Sequence, residues 1–442
     1  MVRGFSHFFV RVMERYLPDP FLFATILTFV VFGTAWILTP SSPLQLVDYW
    51  AEGLWSLLVF TMQISIALVT GTALVRTKAV TKGLNFLSSL AKTPKAAYGL
   101  TALIAGVASL VSWAIGLVVG AFVARQMALR VKNVHYPLLV ASAYSGFVIW
   151  HMGYSSSVAL LIATEGHPLE QMIGIIPVSE TMLAPFNVIT ALAILITLPF
   201  VMMRMAPKES DVVTIDASLL AKEETAASVA AVQKTVPTWA SKIERLQIVN
   251  LLIGVAGLIY LIRHFSNGGS LDLNIVNLSF LVAGILLTKT PIEYIANVTE
   301  GGKSLGPIVL QFPFYGGIMG LMTSSGLAAI VAGWFVAIST AETLPFWSLI
   351  CGGILNVFVP SGGGQWAVQG PIMMDAALRL GADLPRVAMG VAWGDQWTNM
   401  IQPFWALPAL AIAGLKAKDI MGYCVITLII SGVFFSLGIL FL

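Results

Sequence analysis

Two stretches of this chain place ionisable and hydroxyl side chains in the middle of long apolar runs. Residues 136–164 are interrupted by Trp150-His151-Met152-Gly153-Tyr154-Ser155-Ser156-Ser157. Residues 384–414 are interrupted by Trp393-Gly394-Asp395-Gln396-Trp397-Thr398-Asn399, with Pro403 just beyond. Ionisable groups inside apolar spans are functional candidates by default, because holding a charge at that depth is costly. Asp395 could take up a proton or neutralise a bound cation. His151 could relay protons. Asp375, nearer the middle of the second half, is a third coupling candidate, and for all three an internally paired, structural role is the competing reading. Ser155, Ser156, Ser157 and Asn399 offer neutral oxygens for a cation such as Na⁺. A helix carrying so many polar groups at mid-depth is expected to be broken there. Its freed amides and carbonyls can then hold an anion and a cation.

Glycine and serine supply a second kind of chemistry. Ser361-Gly362-Gly363-Gly364-Gln365 would expose backbone N–H groups at the start of a helix, where amides and the positive dipole end suit a carboxylate. Ser112 is its counterpart earlier in the chain. The alternative for such a stretch is close helix packing through small residues. Trp366, Trp393, Trp397, Phe404 and Trp405 crowd the same region and could wall a short alkyl chain, or pack the core. Trp366 and Trp397 adjoin the polar residues and are the wall candidates. The candidate substrate set is therefore Ser112, Ser361 to Trp366, Trp397, Thr398 and Asn399.

The elements that must position these groups follow from composition. The 442 residues are 57% hydrophobic and 10% charged, against about 25% charged in a soluble domain. Nine runs, at 20–39, 54–75, 136–164, 174–203, 246–264, 273–288, 303–323, 386–413 and 420–442, approach the roughly 20 residues that span a bilayer. The expected fold is an all-α polytopic membrane protein. Residues 1–19 mix Arg3, Arg11 and Arg15 with aromatics and read as an interfacial segment. No basic stripe suits nucleic acid. Cys351 and Cys424 form no metal or disulfide pattern. No paired-aspartate, Ser–Lys or His-Glu-x-x-His arrangement argues for an enzyme, and nothing calls for a cofactor.

The chain also repeats itself at an offset of 248. Pro43/Pro291, Glu52/Glu300, Gly53/Gly301, Ser56/Ser304, Leu57/Leu305 and Gln63/Gln311 coincide without a gap. Duplicated membrane units point to transporters, with the site where the copies meet. The first repeat is taken as 20–204 and the second as 269–442, joined by a polar linker at 205–245 and a connecting span at 246–264. Apolar regions at 96–132 and 344–381 are too long for one crossing, and each has a small-residue break at its middle. They are expected to be re-entrant hairpins of two half-length helices, or else two tightly connected spans. Arg76, Lys78, Lys82, Lys92 and Lys95 place the loop at 76–95, and with it the N-terminus, in the cytoplasm. The second copy then starts on the opposite side, so the repeats are inverted. Arg263, Arg379 and Arg386 fall outside and run against the charge bias.

At VPSGGGQWAVQGPIMMDAA (359–377) and AWGDQWTNMIQPFWALPALAIAG (392–414) the chain closely resembles the short-chain fatty acid transporter family, the acetoacetate/butyrate uptake type. The resemblance extends over nearly the whole length. It implies a branch of the ion-transporter superfamily, with inverted repeats, two hairpins and a homodimer. It also implies secondary active transport of a short-chain carboxylate across the cytoplasmic (inner) membrane by symport with H⁺ or Na⁺. The bends here depart from the superfamily's Ser-Asn-Thr type, so backbone amides would replace side-chain ligands. A carrier for another small organic anion, or a small-anion channel, is the rival reading.

Overall fold

The computed structural model describes residues 2–215, 239, 243–269, 272–303 and 305–442. Most of the expected linker, together with Met1 and Ser304, lies outside them. Every regular element among the described residues is helical.

An amphipathic helix α1 (Val2–Tyr16) precedes α2 (Pro20–Leu38), α3 (Pro43–Gly53), α4 (Leu58–Val75) and α5 (Lys78–Ser89). The pair α6 (Pro94–Val111) and α7 (Trp113–Arg130) follows, then α8 (Tyr136–Gly146), the short α9 (Ala159–Ile162) and α10 (Glu170–Ile173), and α11 (Pro185–Arg204). The second half contains α12 (Gln247–Ser266), α13 (Leu273–Leu287), α14 (Pro291–Gly302), α15 (Gly306–Ser324) and α16 (Leu327–Ala337). It ends with α17 (Leu344–Asn356), α18 (Gly362–Leu380), α19 (Leu384–Thr398), α20 (Pro403–Ala413) and α21 (Ala417–Phe441). Among these residues seven helices are long and apolar enough to cross a membrane, or eight if α14 and α15, bent by 54°, form one span. The expected spans at 136–164 and 386–413 are interrupted helices. Flanks of α2 and α12 leave Phe29, Ile37 and Leu252 exposed, surface that only lipid or another apolar face can cover.

Local sequence explains where the helices begin. Ser42-Pro43 opens α3 with a capping box, Ser42 Oγ accepting from Gln45 N–H at 3.3 Å and Gln45 Oε1 accepting from Ser42 N–H at 2.8 Å. Thr290-Pro291 opens α14 with a side-chain cap, Thr290 Oγ1 accepting from Glu293 N–H, while Glu293 Oε2 accepts from Lys289 N–H. A cap followed by proline satisfies an orphan donor and presets φ. The element order repeats with the sequence: α3 and α14 start at Pro43 and Pro291, α4 and α15 at Leu58 and Gly306, α8 and α19 at Tyr136 and Leu384. Each second start is 248 residues after the first.

The two halves of the chain contact each other reciprocally. A Cβ on Gly53 would lie 2.9 Å from Gly320 Cα and 3.1 Å from Gly317 Cα, so α3 rests on α15 backbone to backbone. Its counterpart Gly301, on α14, meets Val69 Cα at 3.0 Å and Thr72 Cβ at 3.1 Å on α4. Positions 69 and 72 are 248 residues before 317 and 320, so the contact is the same one made twice with the halves exchanged. Contacts of this i-to-j, j-to-i kind are what a two-fold relation produces.

Three expectations change. The arms of the first bend, α6 and α7, have 18 residues each, about 27 Å at 1.5 Å per residue, rather than half a span. In the second bend α17 has 13 residues and α18 has 19. The run at 174–203 becomes helical only at Pro185: Gly174 takes φ +65° and turns fill the interval. Arg379 and Arg386, awkward for the charge bias, each have a carboxylate beside them, Asp375 at 2.9 Å and Asp383 at 3.5 Å.

Candidate functional site

The two interrupted segments cross at the centre of the molecule. Gly146 lets α8 lie on α6, where a Cβ would come within 2.6 Å of Gly106 N. Its repeat partner Gly394 does the same for α19, where a Cβ would come within 2.8 Å of Gly352 Cα on α17. Beyond Gly146 the chain tightens into a 3₁₀ turn at Phe147–Met152, with Ile149 non-helical. Beyond Thr398 it does so again at Asn399–Ile401, before Pro403 restarts the helix. Tyr144 O–H donates to the Asn399 carbonyl at 2.6 Å, and His151 N–H donates to Gln396 Oε1 at 2.7 Å. Residue 144 thus meets 399 while 151 meets 395 and 396, so the segments run past one another in opposite directions.

That crossing joins the two strongest candidates. His151 Nε2 lies 3.1 Å from Asp395 Oδ2, with side chains 0% and 1% exposed. His151 Nδ1 lies 3.3 Å from Ser156 Oγ, which accepts from Ala159 N–H. With one ring proton, Nε2–H donates to the carboxylate and Nδ1 accepts from the serine hydroxyl; partner chemistry makes this assignment. Asp395 Oδ1, Ser157 Oγ and Gln396 Nε2 are buried without a protein partner. A buried carboxylate with one oxygen left unfilled is a poor source of stability, and groups of this kind cluster at functional sites.

Both bends converge on the same seven residues. At the second, a Cβ on Gly362 would lie 2.5 Å from Ser157 Oγ and 2.7 Å from His151 Nε2. Ser361 takes an extended conformation and caps α18, its Oγ accepting from Gly364 N–H at 3.3 Å. A Cβ on Gly363 would meet nothing within 4 Å. At the first bend Ser112 is extended and makes no side-chain cap. Ser155 O–H donates to the Ser109 carbonyl at 2.8 Å, and a Cβ on Gly153 would strike the Leu110 carbonyl. The segment 151–157 therefore lies between the two bends.

Other candidates serve the seam around α17, α18 and α19. Thr398 O–H donates to the Gly353 carbonyl at 2.7 Å. Asn356 Nδ2 donates to Asn399 Oδ1 at 2.8 Å. Gln365 Nε2 donates to the Gly352 carbonyl at 2.9 Å and to Gln369 Oε1 at 3.0 Å. Trp397 Nε1–H donates to the Leu428 carbonyl, and the indole packs between Gly353 and Gly432. Trp366 is buried against Gly370. Asp375 stands apart, half exposed beside Arg379. Sequence reasoning passed over Gln396, Asn356, Gln402 and Asn187, all buried; the signal was a carboxamide in an apolar run. Among the described residues no three His, Cys, Asp or Glu side chains gather to hold a metal ion.

Residues 1–442 match the family model described as short chain fatty acid transporter. The chain belongs to the short-chain fatty acid transporter family. A protein of Escherichia coli (strain K12), provisionally named a short-chain fatty acid transporter, is 44% identical over 99% of both chains. A relative from Haemophilus influenzae with the same provisional name is 40% identical over 100% of both. The family is one of transporters, and this is an integral membrane transport protein rather than an enzyme. Among solved structures, the YdaH transporter of Alcanivorax borkumensis aligns over 96% of this chain and 97% of its own, with 14% identity and a TM-score of 0.45. The MtrF efflux pump of Neisseria gonorrhoeae aligns with 14% identity and a TM-score of 0.43, over 97% of both chains.

Proposed function

We propose that the protein is a secondary active transporter that carries short-chain monocarboxylates, butyrate- and acetoacetate-like, inward across the cytoplasmic membrane together with a proton. One observation carries this reading: the buried His151–Asp395 contact against Gly362, at the crossing of the interrupted helices. The free amides at the start of α18 receive the carboxylate.

Charge then dictates the coupling. With Asp395 ionised and His151 neutral, the pair carries one negative charge, and a carboxylate arriving 4 Å away meets repulsion of about 4 kcal/mol at an effective dielectric of 20. One added proton neutralises the pair and removes that barrier. Inward movement of an anion against an interior-negative potential also costs about 2.3 kcal/mol per 100 mV, and co-transport of a proton makes the step electroneutral. The arrangement proposed around this site is a pair of inverted repeats, each carrying a helix pair bent at its Gly/Ser break, N-terminus in the cytoplasm, assembled as a homodimer. The exchanged Gly53 and Gly301 contacts and the opposed crossing of the helices support the inversion. Ser155, Ser156, Ser157 and Asn399 would serve Na⁺ if that ion were coupled instead.

The test is uptake of labelled butyrate into proteoliposomes with H⁺ and Na⁺ gradients imposed separately. Saturable accumulation driven by the pH gradient alone is expected. Accumulation driven only by Na⁺ removes the proton role, and non-saturating flux replaces the carrier with a channel.

A further inference from the structure

The first residues of the linker are tied to the start of α8 through a histidine that the transport site does not use. His135 immediately precedes α8 and is 6% exposed. Hydrogen bonds from three other parts of the chain meet there. His135 N–H donates to the Tyr98 hydroxyl of α6 at 2.8 Å. Val213 N–H donates to His135 Nδ1 at 2.9 Å, and Tyr136 N–H donates to the Val213 carbonyl at 2.8 Å. His135 Nε2 lies 2.9 Å from the Tyr423 hydroxyl of α21. Residues 209–215 thus lie as a strap across the start of the interrupted helix that carries His151. Val213 is exposed on its outer side, while Ile215 packs on the core.

The partners fix the protonation of the ring. A backbone N–H can only donate, so Nδ1 is the bare nitrogen and Nε2 carries the proton, given to Tyr423. The docked strap therefore needs a neutral ring. A second proton, on Nδ1, would turn one donor against another across this contact, and Val213 would have to leave. The titratable groups facing the ring are Tyr98 of α6 and Tyr423 of α21. Glu14 of α1 and Asp211 of the strap lie near enough to act on the Tyr423 hydroxyl, and carboxylates nearby favour a charged imidazole.

We propose that the strap is a pH-sensitive clamp on α8, docked while His135 is neutral and released when His135 takes up a proton from the cytoplasm. The released form binds the extra proton, so docking weakens as pH falls through the range in which imidazoles titrate. Tyr136 O–H also donates to the Ala413 carbonyl at the end of α20, so the clamp closes where α6, α8, α20 and α21 meet. Its release loosens the helix that brings His151 to Asp395. Uptake then slows as the protons it brings in accumulate, a consequence that rests on the proton-coupled reading above.

The experiment is amide hydrogen exchange at Val213 and Tyr136 in the full chain in lipid nanodiscs. It is run at about pH 8 and about pH 5.5, on either side of imidazole titration, and corrected for intrinsic exchange. Wild-type protein is compared with His135→Asn, whose Oδ1 can accept in place of Nδ1 and does not titrate. We expect protection at both amides to fall about tenfold in wild type at the lower pH, as loss of a hydrogen bond predicts. In His135→Asn it should hold. Equal loss in both proteins, or none in wild type, overturns the proposal. Should His135→Asn not fold, Val213→Pro removes the donor at an exposed position. Tyr136 should then exchange fast at either pH, and protection kept at the higher pH overturns the proposal as well. None of these measurements needs a substrate, so their failure is distinct from failure of the transport reading. Butyrate uptake with the vesicle interior alkaline or acidic, under the same gradient, reads the consequence. The acidic interior should slow wild type about fivefold more than His135→Asn, and an equal response in the two removes the clamp from control of transport.

Discussion

Gly362→Ala is the most economical perturbation of the proposed site. The added Cβ would lie 2.5 Å from Ser157 Oγ, 2.7 Å from His151 Nε2 and 2.9 Å from His151 Cε1. All three are closer than side chains tolerate, and the ring is tied at Nε2 by Asp395 and at Nδ1 by Ser156. Either α18 backs away or the imidazole turns. Overpacking of this kind costs about 1–3 kcal/mol. Turning the ring adds the loss of a buried pair, about 3–5 kcal/mol when one partner is removed outright. If only the smaller cost falls on the state that binds proton and acid together, uptake drops by roughly 5- to 150-fold. The assay is initial-rate butyrate uptake under an imposed pH gradient, with melting temperature measured alongside. Gly333→Ala is the reference, because a Cβ there meets nothing within 4 Å. Uptake by Gly362→Ala above half that of Gly333→Ala, at equal melting temperature, would show that this glycine does not hold the bend against a working histidine.

Three further expectations follow from the same contacts. Asp395→Asn keeps the shape and a hydrogen bond toward His151 but removes the charge; it should retain butyrate exchange while losing accumulation driven by a pH gradient, and coupled uptake equal to wild type would rule out Asp395. Gly363→Val adds bulk where the fold has space, so melting should be unchanged while the KM for butyrate rises at least about fivefold; an unaltered KM would place the carboxylate elsewhere. Gly53→Ala would set a Cβ 2.6 Å from the Gly316 carbonyl, a backbone atom that cannot swing away. It should lower stability by about 1–3 kcal/mol, read as a fall in melting temperature, with Gly301→Ala doing the same from the other half.

Much of this architecture was readable from residue order because it rests on local signals. Apolar run length locates α2, α4, α12 and α21, and a cap followed by proline fixes the starts of α3 and α14. The interruptions at 147–158 and 399–402 were visible as polar groups where a span should be apolar. The partner of Asp395 was not, since 244 positions separate it from His151 and pairing across that distance is set by tertiary packing. The run at 174–203 misled for a related reason. Its apolar content suits a span, but Gly174, Pro177 and Pro185 break the helical pattern, and Asn187 Nδ2 donates to the Met152 and Met182 carbonyls, tying the preceding turns to the interrupted segment. The seam of the second bend was equally hidden: Gln365, Gln369, Asn356 and Gln402 read as scattered amides, and only packing joins Gln365, Gln369 and Gln402 to carbonyls of α17 and Asn356 to Asn399 Oδ1.

The exchanged glycine contacts carry an implication for how the chain is assembled. Each half offers a bare strip of main chain, around Gly53 in one and Gly301 in the other, that is closed only by its sibling. A lone half would expose that strip and could not be a finished protein by itself. The two parts of the chain would therefore have to fold against one another for either surface to be closed.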